Sequence, residues 1–328
     1  MTLGVYGISQ MPLVRMGLPR SGFSYYLVKK ITWRACKDLM GRLRKPSFFS
    51  IIVKTNADGI WIMLANDDLG NLGRLGNQMF QYTALRGLAQ RHGYEYCLPP
   101  RAVVATRDIN CANSDITMFE CFKIPDAPRH VCNFPKVMES TFALDENLWN
   151  NCPDNISLYG YFQTEKYFKH IEKQIREAFT FADEIREPTE EMFKEAFGDT
   201  EVIAVHLRRG DYLDYPHHIV QTLEYYSEGL SRMPEDLPVM VFSDGIEWCK
   251  EQDIFQGDRF IFAEGNNTGV DLCLQSLCKY HVIGNSSFSW WGSWLANSKK
   301  TVAPSNWFHK DYMDKDTKDL YLEDWEVI

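Results

Sequence analysis

The segment Val202–Tyr212, VIAVHLRRGDY, limits the possible folds of this chain more than any other. Val202-Ile203-Ala204-Val205 is a short β-branched apolar run, the pattern of a strand covered on both faces. It stops abruptly at His206, Arg208, Arg209, Gly210 and Asp211. A buried strand that ends in polar residues and a glycine is how an open parallel α/β sheet presents chemistry at the carboxyl ends of its strands. Two neighbouring guanidiniums there suit a phosphate or pyrophosphate, because each offers permanently charged, bidentate donors. Taken alone, the segment reads equally well as a surface turn whose arginines pair with carboxylates.

The same rhythm recurs downstream. Pro238–Ser243 (PVMVFS) predicts a second strand, closed by Asp244-Gly245, and Arg259–Ala263 a third. His281–Gly284 predicts a fourth, turning into Asn285-Ser286-Ser287-Phe288-Ser289-Trp290-Trp291, and Thr301–Pro304 a last one. Helical patterns over Tyr225–Arg232, Gly269–Lys279 and up to Asn297 alternate with them, which predicts a parallel sheet covered on both faces. His206–Asp211, Ser243-Asp244 and Asn285–Ser287 then line one crevice. Ser286 and Ser287 sit where a helix begins, so their hydroxyls and the free backbone N–H groups can hold phosphate oxygens. Arg208 and Arg209 supply the charge, each bond to an ionised partner contributing roughly 1.5–3 kcal/mol. Asp271 is either a partner for the N–H edge of a base or an ordinary carboxylate in a first helical turn. Trp290, Trp291 and Trp294 read as packing rather than as sugar-stacking residues.

Upstream, organised structure begins at Gly59 with an opening strand Ile60–Leu64 and a polar loop Ala65–Asn71. Gly73-Arg74-Leu75-Gly76-Asn77-Gln78-Met79-Phe80-Gln81-Tyr82 follows, then a helix through Ala84, Leu85, Leu88 and Ala89 that stops near Gly93. Strand, glycine loop and helix can face an anion. The spacing fits neither the dinucleotide fingerprint nor a P-loop, and a tight turn capped by Asn77 or Gln78 explains the segment equally. Pro99–Asp154 reads as irregular. Leu158–Phe162 predicts a strand, and Gln163–Phe168 opens an amphipathic helix through Ile171, Ile175 and Phe179. The charged stretch Asp183–Glu201 contains Pro188 and a helix over Thr189–Phe197, and it is the expected interdomain link. The expected division is therefore a basic extension at 1–58, an α/β domain at 59–187 and a second at 188–328.

At 328 residues, 45% apolar and 24% charged, the chain can build two ordinary globular domains. A net charge of −9 argues against a general nucleic-acid binder. The basic surplus sits in the extension (Arg15, Arg20, Lys29, Lys30, Arg34 among others), which reads as a variable leader, with peripheral contact to anionic lipid as the alternative. No run approaches the ~20 apolar residues of a membrane span, and no compact signal-peptide core follows Met1. Nine cysteines without a close CxxC pair do not read as zinc ligands, and an odd number leaves at least one unpaired within the chain. Sequons stand at Asn155, Asn266 and Asn285; the last falls in the expected crevice, where glycosylation is not expected.

The Gly73–Tyr82 block, His206-Leu207-Arg208-Arg209-Gly210-Asp211-Tyr212 and Asn285–Gly292 together resemble the signature blocks of the α-1,2-fucosyltransferases. Val241–Asp244 with Trp248-Cys249, and Ala303-Pro304 with Trp307-Phe308, resemble the same family, in the same order between about Ile60 and about Phe308. The resemblance implies a GT-B-like fold, two Rossmann-like α/β domains facing a cleft. It also implies inverting, metal-independent transfer of L-fucose from GDP-fucose to the 2-hydroxyl of a galactose-terminated glycan. By this analogy Arg208 binds the β-phosphate and stabilises departing GDP, and Asn77 reaches the phosphates or the fucose from the first domain. Ser286, Ser287 and Phe288 hold the pyrophosphate, with His206 and Arg209 at the same donor site, and Asp244 and Asp271 contact ribose or guanine. Asp211 is the favoured base, while His206 reads as a structural strand-end histidine. No cofactor beyond the donor and no metal is expected. The alternatives are another linkage or another GDP-sugar, and an inactive carbohydrate-binding homologue. The family further implies a membrane-associated Golgi enzyme in a eukaryote and a cytoplasmic one in a bacterium.

Overall fold

Strand β5 (Ile203–Leu207) is buried along its whole length, as its continuous apolar run requires. It lies at the centre of a six-stranded sheet with β6 (Val239–Ser243), β7 (Phe260–Phe262), β8 (Tyr280–Val282), β9 (Lys300–Ala303) and β10 (Glu326–Val327), in the order β10-β9-β8-β5-β6-β7. Every pairing is parallel, and β5 is registered against β6 with His206 opposite Phe242. Sequence order runs outward from β5 on one side and from β8 on the other. The carboxyl ends of β5 and β8 therefore flank a topological switch point, where the loops above the sheet diverge and open a crevice. One face packs Ile203, Val205, Val239 and Val241 on Tyr226. The other packs Val202, Ala204, Met240 and Phe242 on Leu274 and Cys278.

The computed structural model describes residues 62–105, 116–216, 218–311 and 315–328. The basic extension, its expected lipid contact and the start of the predicted opening strand lie outside them. Among the described residues, no helix is long and apolar enough to cross a membrane. The described residues all belong to one compact unit. It holds a second parallel sheet of four strands, β1 (Met63–Ala65), β2 (Glu95–Cys97), β3 (Lys136–Met138) and β4 (Ile156–Tyr159), ordered β2-β1-β4-β3. The glycine motif follows β1, an inner strand flanked by β2 and β4.

Helix α1 (Leu75–His92) follows that motif and is buried nearly all round at its N-terminal half, because it packs between strands β1 and β2 and the helix that carries Trp290 and Trp291. Phe80 packs 4.7 Å from Trp290 and 4.8 Å from Trp291, ring centre to ring centre. Trp290, Trp291 and Trp294 are all buried, which makes them packing residues, as expected.

Three expectations are corrected. Pro99–Asp154 is not irregular: it contains β3 and a helix over Glu146–Asn151. The strand near Leu158 ends at Tyr159, before the predicted Phe162. The stretch read as a link is one helix, α2 (Asp183–Phe197), which runs through Pro188 and packs on α3 (Thr268–Leu277). The expected boundary at 187/188 falls inside it.

Candidate active site

The carboxyl ends of both sheets open into one cavity of about 630 Å³. Of the residues expected at the site, Asn77, His206, Arg208, Asp211, Asp244, Asp271, Ser286, Ser287 and Phe288 line it. Arg209 does not. Its guanidinium lies 3.4 Å from the centre of the Trp248 ring, a cation–π contact that turns it away. Of the two arginines expected there, only Arg208 lines the cavity.

Arg208 follows the central strand β5, and its side chain is only 15% exposed. Asp211 pairs with Nη2, and Asp244 Oδ2 pairs with Nη1 at 2.6 Å. Asp244 Oδ1 accepts from the backbone N–H of Arg209 at 2.8 Å and of Gly210 at 3.1 Å. A Cβ on Gly210 would run into the same carboxylate, so glycine is required for that approach. Both oxygens of Asp244 are engaged by the arginine turn, whereas the family resemblance implied contact with ribose or guanine. Asp211 carries a second guanidinium, Arg74 Nη2 at 3.6 Å, from the glycine motif. Tyr212 lies beneath Arg208, 5.3 Å from ring centre to guanidinium carbon. Its hydroxyl donates to the Asn285 carbonyl at 3.1 Å.

Helix α4 (Ser287–Ala296) begins on the opposite side of the switch point. Ser286 is its N-cap, accepting from Phe288 N at 3.3 Å. The positive end of the helix therefore lines the cavity that Arg208 also lines. Asn285 is clamped: its Nδ2 donates to the carbonyls of Ile219 and Trp307, both at 2.9 Å. His206, one residue before the end of β5, lines the cavity and is 6% exposed. Burial pulls its pKa down to about 4, outweighing the raising effect of Asp244, so its imidazole is neutral at ordinary pH. Asp271 lies in the first turn of α3, where its Oδ1 accepts from Asn266 at 2.9 Å.

On the four-stranded side, Gly73 takes a left-handed φ of 88°, and Asn77 folds back over it. Asn77 Oδ1 accepts from Gln163 Nε2 at 2.7 Å. Gln163, Glu139, Arg74 and Lys315 all line the cavity, and sequence reading gave none of them a role. Arg74 and Gln163 stood inside or beside recognised segments; Glu139 follows a three-residue strand with no apolar run to announce it. Among the described residues, buried His206 Nδ1, Gln163 Oε1 and Asn285 Oδ1 have no protein hydrogen-bond partner. Water or a polar ligand in the cavity can pair with such groups.

The seven described cysteines are free thiols. Cys97, His130 and Cys132 bring potential ligand atoms within 4.8 Å of one another, a soft-cation donor set that chain spacing did not reveal. None of the three lines the cavity.

The model of glycosyl transferase family 11 matches residues 65–328. An α-1,2-colitosyltransferase of Escherichia coli is 32% identical over 275 residues, covering 74% of this chain and 92% of its own. Galactoside α-(1,2)-fucosyltransferase 2 of Oryctolagus cuniculus is 26% identical, covering 77% of this chain and 73% of its own. Among solved structures, the NodZ α-1,6-fucosyltransferase soaked with GDP-fucose superposes with a TM-score of 0.50 at 13% identity, over 75% of this chain and 96% of that one. This last is a likeness of fold.

Proposed function

The chain belongs to glycosyl transferase family 11, and from that premise we propose that it transfers L-fucose from GDP-fucose to the 2-hydroxyl of a terminal galactoside, with inversion. The observation that carries the reading is Arg208, held by two carboxylates in a cavity that the N-terminus of α4 also lines. As the bond from the anomeric carbon to the β-phosphate oxygen breaks, its electron pair stays on the diphosphate. A preorganised guanidinium and a helix N-terminus stabilise that developing charge. This is the part a divalent cation plays elsewhere, and the proposal needs none. On binding, the diphosphate competes with Asp211 and Asp244 for the Arg208 donors. Ser286 and Ser287 lie at the helix end for the same phosphates, Asn77 approaches from the other sheet, and Asp271 is left for ribose or guanine. We read the two sheets as the halves of a GT-B-like arrangement, the four-stranded one on the acceptor side and the six-stranded one on the GDP-fucose side.

The test is the purified protein with GDP-fucose, a lactose or N-acetyllactosamine acceptor and EDTA, with the product linkage read by NMR. An α-1,2-fucosyl product is expected; another linkage, or a requirement for metal, overturns the corresponding part. A second donor belongs in the same assay, because the colitosyltransferase is 32% identical. Colitose lacks the 3-hydroxyl of fucose, so faster transfer from the colitosyl donor would reassign the sugar and leave the diphosphate site as described.

A further inference from the structure

We propose that Glu139 takes the proton of the acceptor hydroxyl. The inference rests on the glycosyl-transfer reading above and deepens it by naming the base. Glu139 immediately follows β3, the edge strand of the four-stranded sheet, and lines the cavity shared with Arg208. The chain is built around its carboxylate. Oε1 accepts from Phe162 N at 3.0 Å, and Oε2 accepts from Tyr161 N at 3.0 Å and from Phe162 N at 3.1 Å. To point its N–H there, the fully buried Phe162 holds a left-handed φ of 55°. A bulky residue in that region costs on the order of 1–3 kcal/mol and persists where surrounding structure imposes it, characteristically at functional sites. Gly160 completes the cradle, since a Cβ there would meet Glu139 Cβ at 2.6 Å and Oε2 at 2.8 Å. One residue further on, Gln163 holds Asn77. A single strained turn thus positions Glu139 and the asparagine of the glycine motif together.

Two N–H donors leave lone pairs on a carboxylate that offers about four acceptor sites. In the proposed step the acceptor O–H bond breaks and its proton passes to a Glu139 oxygen. The released electron pair forms the bond to the anomeric carbon, and the electron pair of the breaking glycosyl–phosphate bond leaves on the diphosphate. Asp211, the base favoured by sequence, is less suited: both of its oxygens are ion-paired, to Arg208 and to Arg74, and protonation would break those pairs. Burial also pushes the Glu139 carboxyl up to about 7 against the opposing pull of the two N–H bonds, which matches a base working at neutral pH. The charged and titratable groups that act on it are Asp145, Tyr161, Tyr167 and Lys315. Burial raises Asp145, but hydrogen bonds from Leu148 and Ser140 outweigh it and hold the carboxyl below its ordinary range. Burial raises both tyrosines further above theirs. None of these three titrates near neutrality.

The experiment compares transfer to a galactoside by the wild-type chain, Glu139→Gln and Glu139→Asp between pH 5 and pH 9, with GDP-fucose affinity measured on each. Wild-type turnover is expected to fall about tenfold per pH unit below about 7. Glu139→Gln should lose at least about 100-fold at pH 8 and show a flat profile, with GDP-fucose affinity within about threefold of wild type. Glu139→Asp keeps a carboxylate and should retain the acid limb at a reduced rate, so it carries the test even if the Gln variant folds poorly. The proposal is overturned by a Gln variant that keeps the acid limb, the outcome if His218 on the same cavity wall is the titrating group. It is equally overturned if rate and donor affinity fall together, the mark of a purely structural clamp. A wild-type chain that binds GDP-fucose but fucosylates no galactoside at any pH brings down the functional reading itself, a result distinct from both.

Discussion

The indole N–H of Trp291 donates to the carbonyl of Gly76 at 3.0 Å, tying the helix of the glycine motif to the helix of the Asn285–Gly292 motif. The two segments lie 215 residues apart in sequence. Gly76 is pressed so closely on the start of α4 that a Cβ would meet Phe288 N and the Ser287 carbonyl carbon at 2.7 Å each. The hydrogen bond and the missing side chain fix the distance between Asn77 on one helix and Ser286-Ser287 on the other.

Gly76→Ala should therefore damage the site more than a helical glycine-to-alanine change usually does. Alanine favours a helix by about 1 kcal/mol, but backbone atoms of α4 must move to admit its methyl, at a typical cost of 1–3 kcal/mol. We expect a lower Tm and at least a tenfold fall in GDP affinity. Unchanged GDP affinity, measured by calorimetry, would separate the two motifs functionally.

Arg208→Lys keeps the charge but loses the planar fork that pairs with Asp211 and Asp244 at once. If Arg208 meets the leaving diphosphate, turnover should fall by roughly 100- to 1,000-fold, the loss typical of one preorganised donor to a developing anion. Thermal stability should be little changed. Single-turnover kinetics with a folded variant checks this, and a Lys variant of wild-type activity would exclude the role.

His206 and His281 give stability a defined pH dependence. Burial lowers each pKa to about 4 from an ordinary 6.5. The unfolded chain takes up protons at these sites below about 6.5, while the folded chain resists until about 4. Their contribution is therefore complete above about 6.5 and is lost as pH falls toward 4, at roughly 3 kcal/mol each. His281→Gln, placed outside the cavity lining, should flatten the acid side of the unfolding free energy between pH 6.5 and 4; an unchanged slope would rule out that residue as its source.

Asn285 heads a sequon, yet it is 1% exposed and its Nδ2 donates to two carbonyls. In a host that glycosylates asparagine, the folded protein should carry no glycan there. Glycopeptide mass spectrometry provides the check. Asn285→Ala should destabilise by about 1–3 kcal/mol, because it strands the carbonyls of Ile219 and Trp307.

The residues that announced themselves in sequence are those whose chemistry depends on local order. Val202–Val205 reads as a buried strand because a short β-branched apolar run suits an element covered on both faces. A polar switch at its end had to lie at the sheet's carboxyl edge, so Arg208, Asp244 and Ser286-Ser287 could be placed on one cavity wall from the rhythm of apolar runs. What the sequence could not settle was direction and partnership. Arg208 and Arg209 are adjacent and chemically alike, but one turns to the cavity and the other onto Trp248, a choice made by packing. Asp244 reads as a ligand-binding acid until the fold brings Gly210 and Arg208 against it. Glu139 was hidden for the same reason: a three-residue edge strand carries too little periodicity to be seen. Its environment is assembled by Tyr161 and Phe162, more than twenty residues further along the chain. Periodicity records what each segment buries, whereas the pairing of charges depends on contacts between segments, and only tertiary structure sets those.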